Sequence, residues 1–243
     1  MNLLVDMGNT RLKWALSENG QLMPGETLLN QMLNGKELAA LWATLKTPQV
    51  VVIASVGAVL RLALVKAVAQ ELWPGIKIVV ASAKSQEYGV TNAYLLPEKL
   101  GVDRWLALIA ARRRFVGPLC LVDCGTAITI DLLGADGVHQ GGFISSGLAL
   151  MKHSLNQGTA DLPNSVEYFA ATPANSTEAA IFAGTLLSAV GLIENVMAKQ
   201  TETKQLILTG GDAELIAGQL RLDFTIAEHL VLEGLAMVAE VGR

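Results

Sequence analysis

Leu4-Val5-Asp6-Met7-Gly8 and Leu121-Val122-Asp123-Cys124-Gly125 repeat one phrase, Leu-Val-Asp-x-Gly, in the two halves of a 243-residue chain. Each copy ends a short apolar run and leads into a second run with strand character. A strand, a tight turn and a returning strand, with one carboxylate and one glycine at the turn, can hold a metal-bound phosphate. The glycine lets backbone amides approach the anion, and the carboxylate acts through the cation. Two copies predict a duplicated fold with a nucleotide between the halves. The alternative is two unrelated α/β layers that share a common strand-to-turn phrase.

Outward from the first copy, the pattern predicts strands over 3–6 and 11–17, a hairpin turn at Asn19-Gly20, and a third strand over 21–28. A helix over 35–45, a buried strand over 49–54, a helix over 59–72 and a strand over 76–81 follow. Residues 82–97 read as a loop, with a helical turn at 97–100 and a helix over 103–115. Gly117-Pro118 is the best internal boundary, and the chain is expected to divide into residues 1–116 and 117–243. After it the pattern restarts, with strands over 119–123, 127–133 and 138–144. Helices over 147–156 and 177–199, a strand over 205–209, and helices over 213–219 and 230–241 complete it.

A net charge of −4 argues against a general nucleic-acid surface, while leaving room for a small anion held by peptide dipoles. The N-terminus has no basic segment, and Asp6 interrupts its apolar run too early for a signal peptide. The longest apolar stretch, 50–60, is too short to span a bilayer. No membrane association is expected, and the location expected is cytoplasmic. Two cysteines, Cys120 and Cys124, are too few for a disulfide scaffold and read as small core residues.

In the first turn, Gly8 allows a sharp bend, Asn9 and Thr10 can donate to phosphate oxygens, and Lys13 adds a mobile charge. Asp6 would act through Mg²⁺ or an ordered water on it. An ordinary Gly-Asn hairpin is the competing reading. In the second turn, Gly125 and Thr126 repeat the design, and either Asp123 or Asp131 could hold a cation, although Asp131 also reads as a solvent-facing strand end. Thr209-Gly210-Gly211 and Gly141-Gly142 to Gly147 are further close-approach points. Gly101-Val102-Asp103-Arg104 opens a helix. Asp103 could cap it or accept a hydroxyl proton, and Arg104 could bind an anion. Tyr94 lies just upstream. Asn175 or Thr177 is a plausible helix cap, and Thr177 could also meet a substrate. His139, His153 and His229 form no catalytic spacing, and Arg112–Arg114 reads as a solvated helix end.

Taken in order, Asp6-Met7-Gly8-Asn9-Thr10 with Lys13, Gly101-Val102-Asp103-Arg104, Asp123-Cys124-Gly125-Thr126-Ala127 with Thr129 and Asp131, Gly141-Gly142 with Gly147, and Asn175-Ser176-Thr177 with Gly184 resemble type III pantothenate kinases. The resemblance covers nearly the whole chain. It implies an α/β fold of two ribonuclease-H-like halves, actin-like (acetate and sugar kinase) in type, with mixed sheets flanked by helices. It implies ATP-dependent phosphorylation of pantothenate to 4′-phosphopantothenate, the first step towards coenzyme A. It further implies that Asp103 is the proton acceptor, that Tyr94, Gly101, Val102, Asp103, Arg104 and Thr177 contact pantothenate, and that Asp6, Met7, Gly8, Asn9, Thr10, Arg11, Leu12, Lys13 and Thr126 serve ATP. Mg²⁺ would lie at Asp6, and K⁺ or NH₄⁺ at Asp123, in a homodimer. Ser146-Gly147 stands where such proteins usually carry Pro-Gly. The alternatives are a nucleotide-binding regulator like the Bvg accessory factors, or a kinase for another small alcohol such as a sugar.

Overall fold

The apolar run that opens the chain forms β1 (Asn2–Met7), the middle strand of its sheet. The computed structural model describes residues 1–57 and 59–241. β1 pairs antiparallel with β2 (Arg11–Glu18), which pairs with β3 (Gln21–Pro24) and with the short β4 (Leu28–Leu29). On its other side β1 runs parallel to β5 (Val50–Ser55), and β5 parallel to β6 (Lys77–Val80). The sheet order is therefore β3-β2-β1-β5-β6. The turn at Asn19-Gly20 has both residues at positive φ, as a two-residue hairpin requires.

Side-chain alternation divides the work of this sheet. Leu3, Val5, Met7, Leu12, Trp14, Val51 and Ile53 share a core with Leu38 and Trp42 of α1 (Gly35–Trp42) and with Val65, Val68 and Ala69 of α2 (Val59–Leu72). The intervening residues Leu4, Asp6, Val52 and Ala54 take the opposite face. α7 (Leu230–Val241) packs on β1 and β5, and α3 (Val102–Arg114) packs on α7 and β5. A Cβ on Gly234 would strike the backbone of Leu106, so the two helices touch backbone to backbone there.

The second sheet repeats the first. β9 (Leu119–Cys124) pairs antiparallel with β10 (Ala127–Leu133), which pairs antiparallel with β11 (His139–Ser146). On the other side β9 runs parallel to β12 (Gln205–Thr209), and β12 parallel to β13 (Phe224–Ile226). The order β11-β10-β9-β12-β13 and every strand sense match the first sheet. α4 (Leu148–Gly158), α5 (Thr177–Ala198) and α6 (Ala213–Ala217) complete the unit. α5 is long and apolar enough to cross a membrane by composition. One side of it, with Phe182, Leu186, Val190 and Ile193, is buried in this unit's core.

Several elements depart from the sequence reading. The strand expected over 21–28 is broken at Gly25, where a Cβ would collide with the Trp14 ring. The loop 82–97 contains a hairpin, β7 (Gln86–Glu87) and β8 (Val90–Thr91), turning at Tyr88 and Gly89, both at positive φ. β13 has too few residues to signal itself and exists as the partner of β12. The helix expected over 147–156 is capped at Gly147 and runs on to Gly158. The units are Met1–Arg114 with the segment from His229, and Phe115–Glu228. The division expected at 116/117 thus differs in one element. The buried side chains of Leu232, Leu235 and Met237 make α7 part of the first unit.

Candidate active site

The first turn lies where β1 ends. Asp6 is opposite Lys13 across the β1–β2 ladder, and the Gly8 N–H donates to the Arg11 carbonyl at 3.1 Å. Asn9 and Thr10 fill the loop and are exposed, as is Arg11. Met7 and Leu12 are core residues, so only their backbone is available to a ligand. Asn30, one residue past β4, was not indicated by any motif. Its Nδ2 donates to the carbonyls of Gly8 and Asn9, both at 2.8 Å, and its N–H donates to that of Thr10 at 2.9 Å. On the β5 side a Cβ at Gly57 would lie 3.7 Å from the Gly8 carbonyl oxygen and 2.9 Å from Nη2 of Arg61. Arg61, in the first turn of α2, thus adds a cation that the sequence reading missed.

The second cluster in this unit gathers Tyr94, Gly101, Val102, Asp103 and Arg104. Arg104 is 6% exposed, and its Nη1 donates to the Tyr94 hydroxyl at 2.9 Å. Its guanidinium carbon also lies 5.7 Å from the centre of the Tyr94 ring. Asp103 sits inside the first turn of α3 and accepts from the Arg104 N–H at 2.8 Å. It is therefore a first-turn acceptor and not the N-cap. A Cβ on Gly101 would come within 2.6 Å of the Asp103 carboxylate, so glycine leaves that carboxylate its position. Asn92 fixes the approach by donating to Lys84 and Pro97 carbonyls and accepting from the Tyr94 N–H at 3.0 Å.

In the second unit Asp123 is the penultimate residue of β9, opposite Thr129 on β10 and Thr209 on β12. The Gly125 N–H donates to the Ala127 carbonyl at 3.1 Å, leaving Thr126 alone at the tip. This turn is one residue shorter than the first. Two glycines close on it. A Cβ on Gly147 would meet the Gly125 carbonyl, and one on Gly210, at φ +96°, would meet the Asp123 carboxylate. The Gly147 N–H donates to Thr126 and the Asp212 N–H to Cys124. The position before Gly147 is held by Ser146 at the end of β11, and the crowding falls on the glycine. Thr177 begins α5, outside this turn, and is exposed. The cap of α5 is neither Asn175 nor Thr177 but Ser176, whose hydroxyl accepts from the Ala179 N–H at 3.3 Å.

Asp131 is a correction. It is 2% exposed and its Oδ1 lies 2.8 Å from Nε2 of His139, itself 1% exposed. It faces Gly142 across the ladder and ties the β10–β11 edge internally, so the solvent-facing strand end does not exist. Both cysteines are buried and free. Burial pushes the Cys120 and Cys124 thiols up to about 12, and the Asp123 and Asp212 carboxylates add to the effect on Cys124. Neither thiol is a nucleophile or a metal ligand at neutral pH. Among the described residues no three His, Cys, Asp or Glu side chains group as a metal cage. The Asp6 and Asp123 turns each offer one carboxylate among backbone oxygens. That donor chemistry suits hard cations.

Two units with one strand order, each with a carboxylate at the turn after its middle strand, define a protein of the acetate and sugar kinase/actin-like fold. The chain belongs to the type III pantothenate kinase family, whose model matches residues 2–199. A type III pantothenate kinase of Nitrosococcus oceani is 39% identical over 99% of this chain and 94% of its own. That of a Janthinobacterium species is 40% identical over 98% and 97%. A crystal structure of a conserved Baf family protein from Campylobacter jejuni superposes with a TM-score of 0.62 at 23% identity, covering 99% of this chain and 98% of that one. That likeness concerns the fold.

Proposed function

We propose that this chain transfers the γ-phosphoryl group of ATP to the primary hydroxyl of pantothenate, giving 4′-phosphopantothenate and ADP, the first step of coenzyme A biosynthesis. The observation that carries the reading is the cluster of Asp103, Arg104 and Tyr94, built around Gly101 in a chain of this family. The hydroxyl oxygen attacks phosphorus in line, the bond to the ADP oxygen breaks with its electron pair, and the hydroxyl proton passes to the Asp103 carboxylate. Arg104 and Tyr94 orient the acceptor, with Gly101 and Val102 as its backbone wall and Thr177 as a further contact.

The Asp6–Lys13 turn takes the ATP phosphates, and Thr126 is a further residue that serves ATP. Lys13 is half-buried and stands opposite Asp6 across the ladder. Asp6 would hold Mg²⁺, directly or through an ordered water, and Asp123 would hold K⁺ or NH₄⁺. When bound, these cations screen the phosphate charge.

The chain works as a homodimer in the cytoplasm, with neither nucleic acid nor membrane as partner. Support for the dimer comes from α5. Gly184 and Gly191 are exposed, and a Cβ on either would meet nothing within 4 Å. Glycine in a helix interior costs about 1 kcal/mol relative to alanine, and no contact among the described residues requires it. Leu187, on the same side, is 46% exposed. A second copy against this stripe accounts for both.

The test is purified protein with MgATP and pantothenate, with K⁺ or Na⁺ as the sole monovalent cation. Phosphopantothenate is expected, faster in K⁺. No product in either salt overturns the reading. Product only from a sugar panel favours another alcohol, and ATP binding without any product favours a regulator.

A further inference from the structure

We infer that Asn30 is a positioning residue for phosphate binding, turning the carbonyls of Gly8, Asn9 and Thr10 towards itself so that the Asp6 turn meets phosphate with its N–H side. The inference rests on the reading of that turn as the ATP phosphate site.

A turn of exposed backbone is an ambiguous partner for an anion. Its N–H groups attract phosphate and its carbonyl oxygens repel it. In a planar trans peptide the carbonyl and the following N–H point in opposite directions. Whatever fixes the carbonyls therefore fixes the amides. Asn30 holds three successive carbonyls of the loop: Gly8 and Asn9 through Nδ2, each at 2.8 Å, and Thr10 through its own N–H at 2.9 Å. With the Gly8 carbonyl held, the Asn9 N–H is aimed away from Asn30. The reverse orientation of the amide would set Oδ1 against two carbonyl oxygens.

The arrangement carries a cost that a plain turn would not need. Asn30 Oδ1 is buried without a hydrogen-bond partner among the described residues, which is unfavourable. The second turn shows the cheaper solution. There Thr126 and Cys124 carbonyls are held by backbone N–H groups of Gly147 and Asp212. The side-chain clasp belongs to the copy with the longer loop and with Lys13 opposite Asp6. Asn30 reaches it from beyond β4, a two-residue strand that pairs only with the start of β2 and so delivers Asn30 beside the loop.

The test uses the full chain with Asn30→Ala and Asn30→Asp. The aspartate keeps the shape, loses both donors and adds a negative charge. ATP affinity by calorimetry, the KM for ATP, the KM for pantothenate and the thermal midpoint are measured for each. Loss of two hydrogen bonds predicts a KM for ATP raised about ten-fold or more, worse in Asn30→Asp, with the KM for pantothenate changed less than about two-fold. Unchanged ATP affinity in a folded variant, an equal rise in both KM values, or failure of both variants to fold overturns the inference. If the unaltered protein binds ATP but makes no phosphopantothenate, the functional reading falls while the calorimetric comparison still decides the role of Asn30.

Discussion

Asp103, the proposed proton acceptor, shows how little of such a role lies in a residue's own identity. An aspartate at a helix start is ordinarily a cap, and here its Oδ1 does accept a first-turn N–H, that of Arg104. The neighbours make the difference. Gly101 leaves room for the carboxylate, and buried Arg104 is clasped to Tyr94. Asp103→Asn preserves the accepting oxygen and removes the carboxylate proposed as the base. Turnover is expected to fall by about 10² or more, with ATP affinity and thermal midpoint little changed. Near-normal turnover in a steady-state assay would remove Asp103 as the base. Asp131 makes the converse point. Its place beyond the second phrase reads as a solvent-facing strand end ahead of a cation ligand. Its partner His139 lies across a strand turn, and no spacing rule pairs them.

At the scale of elements, the strands and long helices were legible because alternation and helical spacing are local patterns. β13 and the β7–β8 hairpin were not, since their pairing residues are few and their stability comes from neighbours. α5 was visible as a helix, but its outward stripe acquires meaning only when its inward face is known. Leu186, Ala189, Val190 and Ile193 go to the core, leaving Gly184, Leu187 and Gly191 outside. Leu187→Glu introduces a charge into the proposed contact without touching that core. Sedimentation should show a dimer for the unaltered protein and a monomer for the variant, with unchanged helical circular dichroism. A dimer that survives the substitution removes α5 from the interface.

For the whole molecule, burial of two thiols in one unit makes stability depend on alkaline pH. Cys120 and Cys124 are held at about 12, against 9.0 for an unperturbed thiol. Above pH 9 the unfolded chain releases these protons and the folded chain keeps them. The unfolded state then binds fewer protons, so stability present at neutral pH is lost as pH rises towards about 12. Each thiol contributes a slope of up to about 1.4 kcal/mol per pH unit in that window. Urea unfolding at pH 8 and pH 10.5, compared with the Cys120→Ala/Cys124→Ala double variant, should show a shallower decline in the variant. An identical decline would assign the loss to other groups.

The sequence by itself determined the duplicated α/β plan, both carboxylate turns, the Gly101–Arg104 helix start and the resemblance to the family. All of these are written in contiguous residues whose geometry follows from turn chemistry and periodicity. Only the tertiary structure decided that α7 joins the first unit, that Asp131 is buried against His139, that Gly147 and Gly210 crowd the Asp123 turn, and that Asn30 clasps the Asp6 turn. Each of these depends on groups far apart in sequence or on the exact approach of two backbones. Such contacts arise from packing and hydrogen-bond satisfaction across the whole chain, and no short stretch of residues encodes them.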